Sequence, residues 1–84
     1  MNELIQQAIA TAIPDVTAHI SSPDGRHYEA VVISPAFEGL PLVRQHQMVM
    51  RALKAAFDGE LHALQLTTYT PRKWDEAKGN QSER

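Results

Sequence analysis

Four histidines and no cysteine set the metal chemistry open to this chain of 84 residues. Without a thiol it can supply neither a disulfide, nor a thiolate ligand, nor a cysteine nucleophile, so any soft-metal chemistry has to borrow sulfur from another molecule. Its Ser, Lys and carboxylate residues show no spacing that suggests a triad, a phosphate-cradling loop or a paired-acid site, and an enzyme is not expected. His27 and His62 each precede a run with strand character. His46 falls in the apolar stripe of a helix, where a hydrogen-bonded core residue is the expected role. His19 shares with Thr17 and Ser21 a strand face expected to meet solvent. Trp74 and Tyr69 read as packing residues rather than as platforms for stacked bases.

The elements that must position these side chains follow from periodicity. Leu4, Ile5, Ala8, Ile9, Ala12 and Ile13 recur at helical spacing and predict an amphipathic helix that Pro14-Asp15 stops. Val16, Ala18 and Ile20 alternate with Thr17, His19 and Ser21 as in a half-buried strand. Ser22-Pro23-Asp24-Gly25 has turn chemistry, and the β-branched run Tyr28 to Ile33 pairs back as a hairpin. A long helix is expected from about Pro41 to Phe57, with Leu42, Val43, His46, Val49, Met50, Leu53 and Phe57 inward and Gln45 outward or flanking. Leu61 to Tyr69 reads as a third strand. Thr70-Pro71 then sets a capping hydroxyl before a helix-starting proline, giving a short helix from Arg72 to about Lys78 with Trp74 docked on the body.

The order is therefore helix, strand, strand, helix, strand, helix. A strand joined to the next through a long helix runs parallel to it by a right-handed crossover. If the third strand lies beside the second, the fold is α+β: a three-stranded mixed sheet with helices covering one face. Parallel neighbours begin at the same edge, about 4.8 Å apart, so His27 and His62 can converge on one metal. Iron or zinc would then have two imidazoles from this chain, with the other positions filled by a second molecule, water or cluster sulfides. The alternative for each is an ordinary solvated histidine at a strand end.

Composition agrees with one small folded domain, expected over residues 1–78 with a polar tail at 79–84. Hydrophobic residues make up 43% and charged residues 21%, too apolar for a disordered chain. The formal charge of −2 sets up no field that would draw the chain to nucleic acid or an anionic membrane. No apolar run approaches the roughly 20 residues of a membrane span, and no signal-type segment opens the chain, so a cytoplasmic protein is expected.

The stretch from His62 through Thr70-Pro71 to Trp74 resembles the C-terminal signature of the BolA family. Phe37-Glu38-Gly39 with Val43, His46, Val49, Ala52 and Leu53 resembles that family's central helix motif. Asp24-Gly25-Arg26-His27-Tyr28 resembles the hairpin loop of its subgroup carrying histidine there. The resemblance covers about Ile5 to Asp75. It implies a class II KH-like fold and a heterodimer with a monothiol glutaredoxin, in which the two proteins and glutathione share a [2Fe-2S] cluster. His62 matches the family's C-terminal ligand and His27 its variable loop ligand, which is cysteine in another subgroup. The partner and glutathione would supply the thiolates, and the chain alone would carry no cofactor. Imidazole in place of thiolate raises a cluster's reduction potential. Since imidazole binds iron only when deprotonated, acid should compete for both ligands. Two departures stand out: Arg44-Gln45-His46 separates an Arg-His pair that many members have adjacent, and Arg72-Lys73 replace acidic residues common after the Thr-Pro.

The competing function is a KH-like nucleic-acid-binding transcriptional regulator. Arg44, Arg51, Lys54, Arg72 and Lys73 are the residues that could contact DNA or a partner, although charged helix faces are ordinarily just solvated. Gly39-Leu40-Pro41-Leu42 lacks the Gly-x-x-Gly loop by which KH domains approach a nucleic-acid backbone. Weak DNA binding and a homodimer are both left open by the sequence.

Overall fold

The computed structural model describes residues 2–57 and 64–82. Helix α1 (Asn2–Ala12) leads into strand β1 (Thr17–Ser21), then β2 (Tyr28–Ile33), helix α2 (Leu42–Phe57), strand β3 (Leu64–Tyr69) and helix α3 (Pro71–Ser82). The sheet order is β1-β2-β3. β1 and β2 pair antiparallel, and β2 and β3 pair parallel with Tyr28 opposite Leu64 and Ile33 opposite Tyr69. This is the expected α+β architecture with a mixed sheet.

The core explains the register. Ile5, Ile9 and Ile13 recur every four residues and are fully buried, so α1 lays one narrow stripe on the sheet. Ala18, Ala30 and Val32 meet that stripe from β1 and β2, Phe37 closes it from a 3-10 turn at Pro35–Phe37, and Val49 and Leu53 close it from α2. A one-residue slip of β2 would turn Ala30 and Val32 to the other face, so burial fixes the pairing. Ser34 is buried at the end of β2. Its hydroxyl donates to the Pro14 carbonyl at 2.7 Å and accepts from the Ala36 amide at 3.0 Å.

Three sequence expectations need correction. α2 is rotated about its axis: Leu42 is 64% exposed, Val43 62% and Met50 43%, whereas Gln45 is buried. The cause is polar. The Gln45 amide donates to the Leu40 carbonyl at 2.9 Å and to the Phe37 carbonyl at 3.4 Å, and its oxygen accepts from the Thr68 hydroxyl at 2.7 Å. Serving the loop carbonyls and β3 together outweighs hiding Leu42 and Val43. His46 is half-buried rather than part of the core, and the side chain of Phe57 lies outside the described residues. Second, Leu4 and Ala12 are exposed rather than inward. Third, α3 extends through Gly79 to Ser82, beyond the expected end near Lys78; a glycine within a helix costs only about 1 kcal/mol.

The Thr70 hydroxyl caps α3 as anticipated, accepting from the Lys73 amide at 3.3 Å. Trp74 packs at 5.3 Å between ring centroids from Tyr69 and 5.9 Å from His19. Because His19 alternates with the buried Ala18, this contact places Trp74 on the sheet face opposite the core. α1 and α2 thus cover one face and α3 adds a partial cover on the other, where the sequence led to helices on one face only. No helix among the described residues is long and apolar enough to cross a membrane.

Candidate functional site

The loop joining β1 to β2 is organised around one carboxylate. Asp24 Oδ1 accepts from the backbone amides of Arg26 at 2.9 Å and His27 at 2.8 Å, the arrangement by which Asp initiates a turn. Gly25 takes a left-handed φ of 73° between them, a conformation glycine adopts without strain. The Ser22 hydroxyl donates to the His27 carbonyl at 2.9 Å and closes the loop from the other side. These bonds hold the His27 backbone. Its ring is held as well, with Nδ1 lying 2.6 Å from Asp24 Oδ2. The His27 backbone amide, then its ring, then the Arg26 amide hold the Asp24 carboxyl well below the usual carboxylate range. Sequence reasoning marked Asp24 as a turn residue and missed its contact with the ring. The signal was present in Asp24-Gly25-Arg26-His27, where an acceptor three residues ahead of an imidazole spans one turn.

The His27 side chain is 69% exposed. It stands at the rim of an open hollow of about 440 Å³, lined by Pro23, Asp24, His27, Tyr28 and Glu29 on one side and by Leu64 and Gln65 on the other. The hollow thus straddles the starts of the two parallel strands, where Tyr28 pairs with Leu64. His62, the second expected ligand, lies outside the described residues, two positions before Leu64 in the chain. Among the described residues no group of three or more His, Asp or Glu could hold a metal ion.

The five basic candidates do not share one surface feature. Arg44 and Arg51 line a small hollow of about 210 Å³ beside α2 with Leu40, Gln47 and Met48. Lys73 borders a different hollow, of about 480 Å³, formed by Leu40, Leu42, Gln45 and residues 67–70. Arg72 faces Glu76 at 3.8 Å along α3, and Lys54 is exposed on α2. His19 stands against Trp74 on the outer sheet face, away from the loop hollow.

The profile of the BolA-like protein family matches residues 3–73. The chain belongs to the BolA family. Among its relatives is the acid stress protein IbaG of Escherichia coli, 30% identical over 74 residues that cover 87% of each chain. A BolA homologue from Coxiella burnetii has the same fold, with a TM-score of 0.76, 36% identity and coverage of 89% of this chain and 96% of that one. BolA1 from Arabidopsis thaliana superposes with a TM-score of 0.71 at 26% identity, over 86% of this chain and 93% of its own. The BolA match ends at residue 73 and so includes both the hairpin loop and the start of β3, the two segments that border the loop hollow.

Proposed function

We propose that this BolA protein is a non-enzymatic adaptor that binds a monothiol glutaredoxin and shares a [2Fe-2S] cluster with it through His27 and His62, in iron-sulfur cluster trafficking or in iron and redox regulation. The observation that carries the reading is the loop hollow: an exposed imidazole at its rim, and the first residues of β3 as its opposite wall. His62 is joined to Leu64 through one residue, so the chain ties it within about 7 Å of that wall.

The donor set fits such a group. A chain without cysteine can offer iron only nitrogen and oxygen, and an imidazole pair on one iron with thiolates on the other is an established [2Fe-2S] ligand set. When bound, such a cluster supplies a reduction potential above that of an all-thiolate centre. This chain's part is to present two imidazoles at an open edge, where glutathione and the partner's thiol can complete the coordination. Imidazole ligation is acid-sensitive by nature, in keeping with the acid-stress name of the relative IbaG.

Mixing the protein with a monothiol glutaredoxin, glutathione, iron and sulfide tests the reading. A coloured heterodimer is expected, with a visible spectrum that changes strongly in His62→Ala and less in His27→Ala. An unchanged spectrum in both variants removes the ligand assignment. For nucleic acid, the favouring observation is the shared hollow of Arg44 and Arg51; duplex binding that weakens with salt and with Arg44→Ala would support that role, and salt-insensitive or undetectable binding would count against it.

A further inference from the structure

We propose that Asp24 is a positioning residue for the loop ligand: its carboxylate fixes the proton of the His27 ring on Nδ1 and thereby reserves Nε2 as the metal-binding nitrogen. The inference rests on the reading of His27 as a ligand and says which atom of that ligand is used.

The geometry leaves little freedom. Asp24 Oδ1 is anchored by two backbone amides, from Arg26 and His27, so the second oxygen is already placed when the ring arrives. That oxygen lies 2.6 Å from Nδ1, a short contact for a ring nitrogen and a carboxylate and one that charge-assisted hydrogen bonding shortens in general. An ionised carboxylate has no proton to donate, so the contact requires N–H at Nδ1 whether the ring is neutral or charged. In the neutral ring the lone pair is then on Nε2 alone. A histidine that ligates a metal through one nitrogen commonly donates its other N–H to a carboxylate, which sets tautomer and ring orientation together. Here that arrangement is complete within four consecutive residues, and Ser22 pins the carbonyl of the same histidine.

The variant that isolates the ring contact is Asp24→Asn. Its amide oxygen can still accept from both backbone amides and keep the turn, but its NH2 then faces Nδ1 as a donor and favours an unprotonated Nδ1. The tautomer should therefore invert. Asp24→Glu restores a carboxylate and should return the ring at least in part to Nδ1–H.

Long-range proton-nitrogen NMR of the protein alone, under conditions where the ring is neutral, reads the tautomer directly. Nδ1–H is expected in the wild type and Nε2–H in Asp24→Asn. With glutaredoxin and glutathione, the loaded heterodimer of Asp24→Asn should lose its cluster about tenfold faster than the wild type, in the range typical of lost outer ligand partners. A wild-type ring protonated at Nε2, or a tautomer unmoved by Asp24→Asn, would overturn the proposal whatever the cluster does. A tautomer that inverts as expected, beside a loaded heterodimer indifferent to His27→Ala, would instead overturn the ligand reading and with it the positioning role.

Discussion

Gln45 does more at the residue scale than any other polar side chain of α2, because one buried amide serves two loop carbonyls and the Thr68 hydroxyl. Gln45→Ala leaves these groups unpaired in an apolar setting and is expected to cost about 2–3 kcal/mol, a fall in Tm of more than about 10 °C for a domain of this size. Thermal unfolding measures it, and a fall of only a degree or two would mean that water replaces the amide. Asp24 offers a second check at this scale. Its carboxyl is held low in the native state, so its contribution to the loop is fully present above the ordinary value of 3.8 and is lost as the pH falls through the lower native value. A carboxyl-carbon NMR titration should give a midpoint below 3.8, and a midpoint at or above that value contradicts the loop geometry. His27 was legible in the sequence because a turn and a β-branched run flank it. Gln45 was not, since a polar residue inside an apolar stripe carries no periodic signal of its partners, which come from a loop and from a strand 23 residues away.

At the scale of elements, the parallel crossover was readable from order alone, and β2 runs over Tyr28–Ile33 as its β-branched run predicts. The rotation of α2 was not readable, because Leu42 and Val43 are as apolar as Val49 and only tertiary hydrogen bonds distinguish the faces. The turn before α2 has a precise backbone demand: Gly39 has φ 78°, and a Cβ there would meet no atom within 4 Å. Gly39→Ala should therefore cost backbone strain alone, about 1 kcal/mol, in urea unfolding; no loss of stability would contradict the left-handed geometry. The docking of α3 is tested through Trp74. Trp74→Ala removes two aromatic contacts on the outer sheet face, worth about 0.5–1.5 kcal/mol each beyond area, and should shift the ring resonances of His19. Unmoved His19 resonances would mean that α3 does not rest on β1.

At the scale of the whole molecule, the proposed role sets a small sheet with two parallel strand starts against a partner that brings sulfur. The family follows from the sequence and the fold together; the iron-binding role is the proposal built on them, and half of its ligand pair, His62, lies outside the described residues. Nitrogen hyperfine coupling in the reduced cluster of the heterodimer with a monothiol glutaredoxin tests that role most directly. Electron spin-echo spectroscopy should show coupling from two imidazole nitrogens on one iron, reduced to one in either His27→Ala or His62→Ala. A cluster without imidazole coupling, or with coupling that survives both substitutions, would contradict it.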